Sequence, residues 1–107
     1  MSSVAQFQQL VSGWASSKPS IRRAWLFGSV VKGGTSPNDL DVAVELDEPS
    51  GPELDDLWIH EAAKWRHELQ AMLPLKLDLE LFDPGGSTPS IAKYLATGKR
   101  LVYERAS

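Results

Sequence analysis

Hydrophobic and polar residues alternate along the chain with two different periods, and the switches between them mark the elements. Val4, Phe7, Val11 and Trp14 recur at helical spacing, which predicts an N-terminal amphipathic helix. Ala24 to Phe27 is a short apolar run ended by Gly28, the pattern of a buried strand. Leu40, Val42, Val44 and Leu46 then alternate with Asp39, Asp41, Ala43 and Glu45, a period of two and hence a second strand. Leu54, Leu57, Trp58, Ala62, Trp65, Leu69 and Met72 form a long helical stripe. Ser50-Gly-Pro-Glu53 reads as a capping box at its start and Pro74 as its stop. Leu75, Leu77, Leu79 and Leu81 alternate with Lys76, Asp78, Glu80 and Phe82, giving a third strand. Pro89 to Thr97 is a short helix followed by Gly98, and Arg100–Tyr103 is a last strand. The order α-β-β-α-β-α-β predicts a two-layer domain of the α/β or α+β class. Pairing of the strands does not follow from the pattern.

Composition narrows the class. The 107 residues have room for a single domain, 1–107, and the only loop-like stretches, Asp47–Pro52 and Asp83–Ser90, are connections rather than linkers. Hydrophobic residues are 42% and charged residues 23%, ordinary globular values that exclude disordered and fibrous chains. The absence of cysteine removes disulfides, thiolate metal sites and thiol catalysis. A net charge of −3 argues against direct nucleic-acid binding, and no apolar run is long enough for a membrane span. With no secretory signal at the start, a cytoplasmic protein is expected.

The chemistry concentrates between residues 26 and 44. A strand runs into Gly28-Ser29, and nine residues later Asp39-x-Asp41 opens the next strand. Gly28 lets the backbone turn sharply and approach a ligand, and Ser29 offers a hydroxyl and free backbone N–H groups to phosphate oxygens. Asp39 and Asp41, two apart on a strand, project from one face and repel each other unless a cation lies between them. Mg²⁺ fits, because it takes oxygen ligands from one or two carboxylates together with substrate phosphates. Asp78 and Glu80 on the later strand are alternatives for a third carboxylate. Three carboxylates beside a triphosphate cradle suit two-metal nucleotidyl transfer, in which the ions lie about 3.5–4 Å apart and stabilise charge at the α-phosphoryl group.

Gly-Ser followed by Asp-x-Asp and a later strand acid resembles the signature of the DNA-polymerase-β-like nucleotidyltransferase superfamily. The stretch from Arg22 to Glu104, with Ile91 and the closing Gly98-Lys99-Arg100-Leu101-Val102-Tyr103-Glu104, is most similar to its minimal nucleotidyltransferase (MNT) branch. The resemblance implies a mixed sheet of about four strands with helices mainly on one face. It implies that Gly28 and Ser29, with Lys32 the only nearby base, hold the phosphates of ATP. Asp39, Asp41 and Asp78 would be the catalytic metal ligands for Mg²⁺, Asp78 also helping to activate the nucleophile. Two positions depart from the common pattern: Val30 stands where many relatives carry arginine, and Asn38 where serine is frequent. The resemblance further implies an antitoxin that moves AMP onto a tyrosine of a HEPN-domain partner. A turnover-deficient module that blocks its partner, or transfer to a small molecule such as an aminoglycoside, are the alternatives. A second copy of the chain is a further candidate partner.

The remaining signals have plain structural readings. No lysine or arginine occurs between Lys32 and Lys64, so Glu45, Asp47, Glu48, Glu53, Asp55 and Asp56 are expected to form a solvated acidic rim. His60 and His67 share a helix face without further ligands and are expected at the surface. Trp14, Trp25, Trp58 and Trp65 are expected in the core.

Overall fold

The computed structural model describes residues 4–28 and 39–105. Three helices, α1 (Val4–Ser16), α2 (Pro52–Gln70) and α3 (Pro89–Thr97), accompany four strands, β1 (Ile21–Phe27), β2 (Asp39–Leu46), β3 (Lys76–Leu81) and β4 (Lys99–Glu104). The strands form one mixed sheet in the order β3-β2-β1-β4. β1 lies antiparallel to both β2 and β4, whereas β2 and β3 run parallel. A parallel pair needs a crossover, and the 19 residues of α2 supply it.

One face of the sheet holds the main core. Leu40, Val42 and Val44 of β2, Ala24 and Leu26 of β1, and Leu77, Leu79 and Leu81 of β3 pack under Phe7, Val11 and Trp14 of α1 and Leu54, Trp65 and Leu69 of α2. Trp14 and Trp58 both meet Trp65 edge-on. Of the four tryptophans only Trp58 stays half-buried, with the Arg66 guanidinium 5.4 Å from its ring centroid. The opposite face carries a smaller cluster of Trp25, Phe27, Ala43 and Leu95, with Phe82 and Ile91 at its margin, and α3 lies over it. Helices thus cover mainly one face, as an α+β sheet of this kind requires. Among the described residues no helix is long and apolar enough to cross a membrane.

Three expectations fail for reasons outside the local pattern. Ser50 caps nothing: Gly51 is the N-cap of α2 without a side-chain bond, and the Ser50 hydroxyl donates to Asp83 Oδ2 at 2.7 Å. Glu45 does not belong to a solvated rim. It is buried, accepts two bonds from Arg23 Nη1 at 3.0 and 3.1 Å, and lies 4.0 Å from Arg22 Nε. Two neighbouring arginines reach one carboxylate because the β1–β2 register slips between Ile21 and Arg23. Asp47 is exposed but paired with Arg105 at 2.6 Å, which leaves Glu53, Asp55 and Asp56 as the exposed acids of that stretch. Met72 falls beyond the end of α2 and is exposed rather than continuing its stripe. His60 and His67 are exposed, as expected.

Asp83, just past β3, is the buried acid that organises the turn into α3. Its carboxylate accepts bonds from the Ser50 and Ser87 hydroxyls and the Gly85 and Ser87 backbone N–H groups, and its own N–H donates to Thr88 Oγ1 at 2.8 Å. These donors, the Ser87 and Ser50 hydroxyls first, hold the Asp83 pKa below the ordinary aspartate value.

Two stability measurements follow. Leu26→Ala, at a fully buried site near the end of β1, should lower the unfolding free energy by about 3 kcal/mol in urea titration. Because folding lowers the Asp83 pKa, the native state binds fewer protons there than the unfolded chain. The stability advantage of wild type over Asp83→Asn should be full above the ordinary value of 3.8 and shrink as the pH falls below it, read from denaturation midpoints across that range. An advantage that grows towards acid would contradict the hydrogen-bond account.

Candidate functional site

The ladder brings the acids together. Asp41 of β2 stands opposite Phe27 of β1 on one side and Asp78 of β3 on the other. Two residues back, Asp39 faces Lys76, and two residues on, Ala43 faces Glu80. Residues two apart on a strand share a face, so Asp39, Asp41, Asp78 and Glu80 lie on the sheet surface opposite the main core. The period-two pattern that buries Leu40 and Val42 therefore delivers the carboxylates to the other side.

Asp41 bears the electrostatic consequence. Partial burial, the Asp78 and Asp39 charges, a carboxyl hydrogen bond with Asp78 and the Glu80 charge together push its pKa up to about 6. Crowded acids of this kind concentrate negative potential at one point, which a cation can relieve.

Gly28 closes the site from the β1 side. Its φ is +76°, a left-handed conformation that L side chains rarely adopt. A Cβ there would stand 2.2 Å from Asp41 Oδ2, so the absence of a side chain is what allows the carboxylate its position. The glycine thus makes room for Asp41 as well as turning the chain.

A cavity of about 610 Å³ opens over this corner, lined by Phe27, Gly28, Asp41, Asp78, Glu80, Ile91 and Tyr94. That volume is in the range of small-molecule sites. One wall is acidic and the other apolar. Phe27 and Tyr94 carried no functional reading in the sequence and Ile91 only a place in the resemblance, although Ile91, Tyr94 and Leu95 share one stripe of α3 at helical spacing. A second cavity, about 370 Å³, lies towards Glu45 and Asp83, whose carboxylates are already hydrogen-bonded. Ser29 and Lys32, expected at the phosphates, lie outside the described residues, as do Val30 and Asn38.

Among the described residues no group of three or more His, Cys, Asp or Glu side chains is gathered tightly enough to cage a metal ion. The donor set at Asp41 is oxygen-only and anionic, opposed across the ladder by one carboxylate. That chemistry fits Mg²⁺, which binds through one or two carboxylates and completes its shell with water and substrate phosphates. It does not fit an ion that demands a complete protein cage.

Comparison with known proteins agrees with this fold. Residues 9–107 match the family model for polymerase beta, nucleotidyltransferase. A chain of a toxin–antitoxin crystal structure with AMP-PNP superposes with a TM-score of 0.68 at 17% identity, covering 92% of this chain and 73% of that one. A complex of tri-AMPylated Shewanella oneidensis HEPN toxin with MNT antitoxin gives 0.65 at 15% identity, over 94% and 72%. A MntA–HepT toxin–antitoxin structure gives 0.62 at 14% identity, over 94% and 73%. At these identities the likeness is one of fold. No curated protein sequence matches.

Gly28→Ala should lower stability by about 1–2 kcal/mol from backbone strain and the clash with Asp41. In an Asp41→Ala background, where the clashing carboxylate is gone, part of that loss should be recovered. A double-mutant cycle showing strict additivity would mean that Gly28 and Asp41 do not share this space.

Proposed function

The chain belongs to the polymerase beta nucleotidyltransferase family, and on that premise we propose that it transfers AMP from ATP to a hydroxyl acceptor, with Mg²⁺, as a member of the minimal nucleotidyltransferase branch. The observation that carries the reading is the placement of Asp41 between Gly28 and Asp78, within one cavity and at the pole of a cluster of like charge. The acceptor hydroxyl oxygen would attack the α-phosphorus, the bond to pyrophosphate would break, and the hydroxyl proton would pass to Asp78 and on to water. Asp39, Asp41 and Asp78 would hold Mg²⁺, which when bound supplies positive charge against the phosphates. Gly28 keeps the approach to Asp41 free of a side chain, and Ser29 and Lys32 would hold the terminal phosphates.

The acceptor proposed is a tyrosine of a HEPN-type partner, which would make the chain an antitoxin. Support comes from fold neighbours that include a complex with AMP-PNP and one with an AMPylated HEPN toxin. The cavity agrees, since its open acidic corner is one that a hydroxyl carried on another chain can reach.

With ATP labelled at the α-phosphate, Mg²⁺ and a HEPN-type protein encoded beside this one, label should move onto a partner tyrosine. Asp39→Asn, Asp41→Asn and Asp78→Asn should each cut the rate by about a hundredfold or more, and chelation of the metal should stop it. Asp41→Asn should meanwhile keep or raise the melting temperature, since it removes one of several crowded charges. Label transfer that survives the three substitutions would sink the assignment. A tight complex without any transfer would favour the inhibitory module instead.

A further inference from the structure

The apolar wall of the cavity has a definite construction. Phe27 is buried at the end of β1, within the cluster of Trp25, Ala43 and Leu95. Tyr94 of α3 lies over it, ring centroids 6.4 Å apart and planes 23° from parallel. Leu95, the next residue, anchors α3 in the same cluster, and Ile91, one turn earlier, lines the cavity beside Tyr94. Tyr94 is nevertheless 58% exposed, an aromatic ring backed by a buried ring and open to the cavity.

From this we infer that the Tyr94 ring, backed by Phe27 and flanked by Ile91, is the platform on which the base of the nucleotide stacks. The inference rests on the nucleotidyltransferase reading and deepens it, by assigning a base-binding subsite to α3. Three observations support it. Acids and shelf share one cavity, so a ligand whose phosphates meet the carboxylate end has its flat part within reach of the ring. Among the described lining residues none is cationic, so the shelf offers a phosphate no positive charge. Backing by Phe27 fixes the ring in advance, which reduces the entropy lost when a base settles on it. Stacking on one ring without polar contacts to base edges is tolerant of base identity. The described platform of Tyr94, Phe27 and Ile91 therefore separates bases by overlap area, which favours large purine faces over pyrimidines.

Binding of two probes, ATP and inorganic tripolyphosphate, each measured calorimetrically with Mg²⁺, separates the possibilities. Wild type should bind ATP more tightly than tripolyphosphate. Tyr94→Ala should weaken ATP by roughly tenfold and leave tripolyphosphate unchanged, and Tyr94→Phe should restore ATP binding because the ring is the group that acts. Tyr94→Leu, which keeps apolar bulk on the exposed helix face, should behave like Tyr94→Ala and melt with wild type. An ATP affinity insensitive to Tyr94→Ala, or equal losses for both probes, would overturn the platform while leaving the nucleotidyltransferase reading intact. Wild type that binds neither probe would overturn that reading and the platform with it.

Discussion

β2 has to do two incompatible things within eight residues, and the rest of the molecule is arranged around that constraint. Its even-numbered positions, Leu40, Val42 and Val44, are fully buried beneath α1 and α2, while Asp39 and Asp41 alternate with them on the far side. A register slip of one residue would place carboxylates in the core and leucine in the cavity, so the apolar packing on one face fixes the acids on the other. Central placement reinforces the arrangement. With β1 and β3 on its flanks, β2 cannot shift without breaking two ladders, and the crowding at Asp41 is tolerated because burial elsewhere along the strand outweighs it.

Much of this was readable from the chain because periodicity is a local property. The alternation through 39–46 and 75–82 marked both acid-bearing strands, the helical stripes located α1 and α2, and Pro89 and Gly98 bracketed α3. Asp39, Asp41 and the alternatives Asp78 and Glu80 were legible as candidates for the same reason, and the resemblance singled out Asp78. Their juxtaposition was not, because the order β3-β2-β1-β4 depends on which edges meet after the α2 crossover. The apolar wall escaped notice because Phe27 and Tyr94 are far apart in sequence and neither is unusual alone.

Glu45 and Ser50 were misjudged from the sequence for one cause, a partner distant along the chain. Glu45 looked like one more acid in a basic-free stretch, yet Arg23 on the adjacent strand neutralises it, and Arg23 in turn reaches Glu104 on the strand beyond. Ser50 had every local attribute of a cap, but Asp83 offered its hydroxyl a buried anionic acceptor, and charge-assisted bonds are the stronger ones. A single carboxylate thereby drew Ser50 away from α2 and shaped the turn that launches α3.

That turn has a bearing on how such a protein can change over generations. Asp83 ties it to Ser50, Ser87 and its own backbone, and Asp39, Asp41 and Asp78 take no part in the tie. The acids and the exposed ring of α3 are consequently held by different contacts, the β2–β3 ladder for the first and the Leu95 cluster together with the Asp83 turn for the second. On the proposed reading, substitutions at the exposed positions of α3 would alter the ligand that is favoured while leaving the ladder that holds the acids untouched. A lineage built on this plan would then diversify what it recognises without having to rediscover how it reacts.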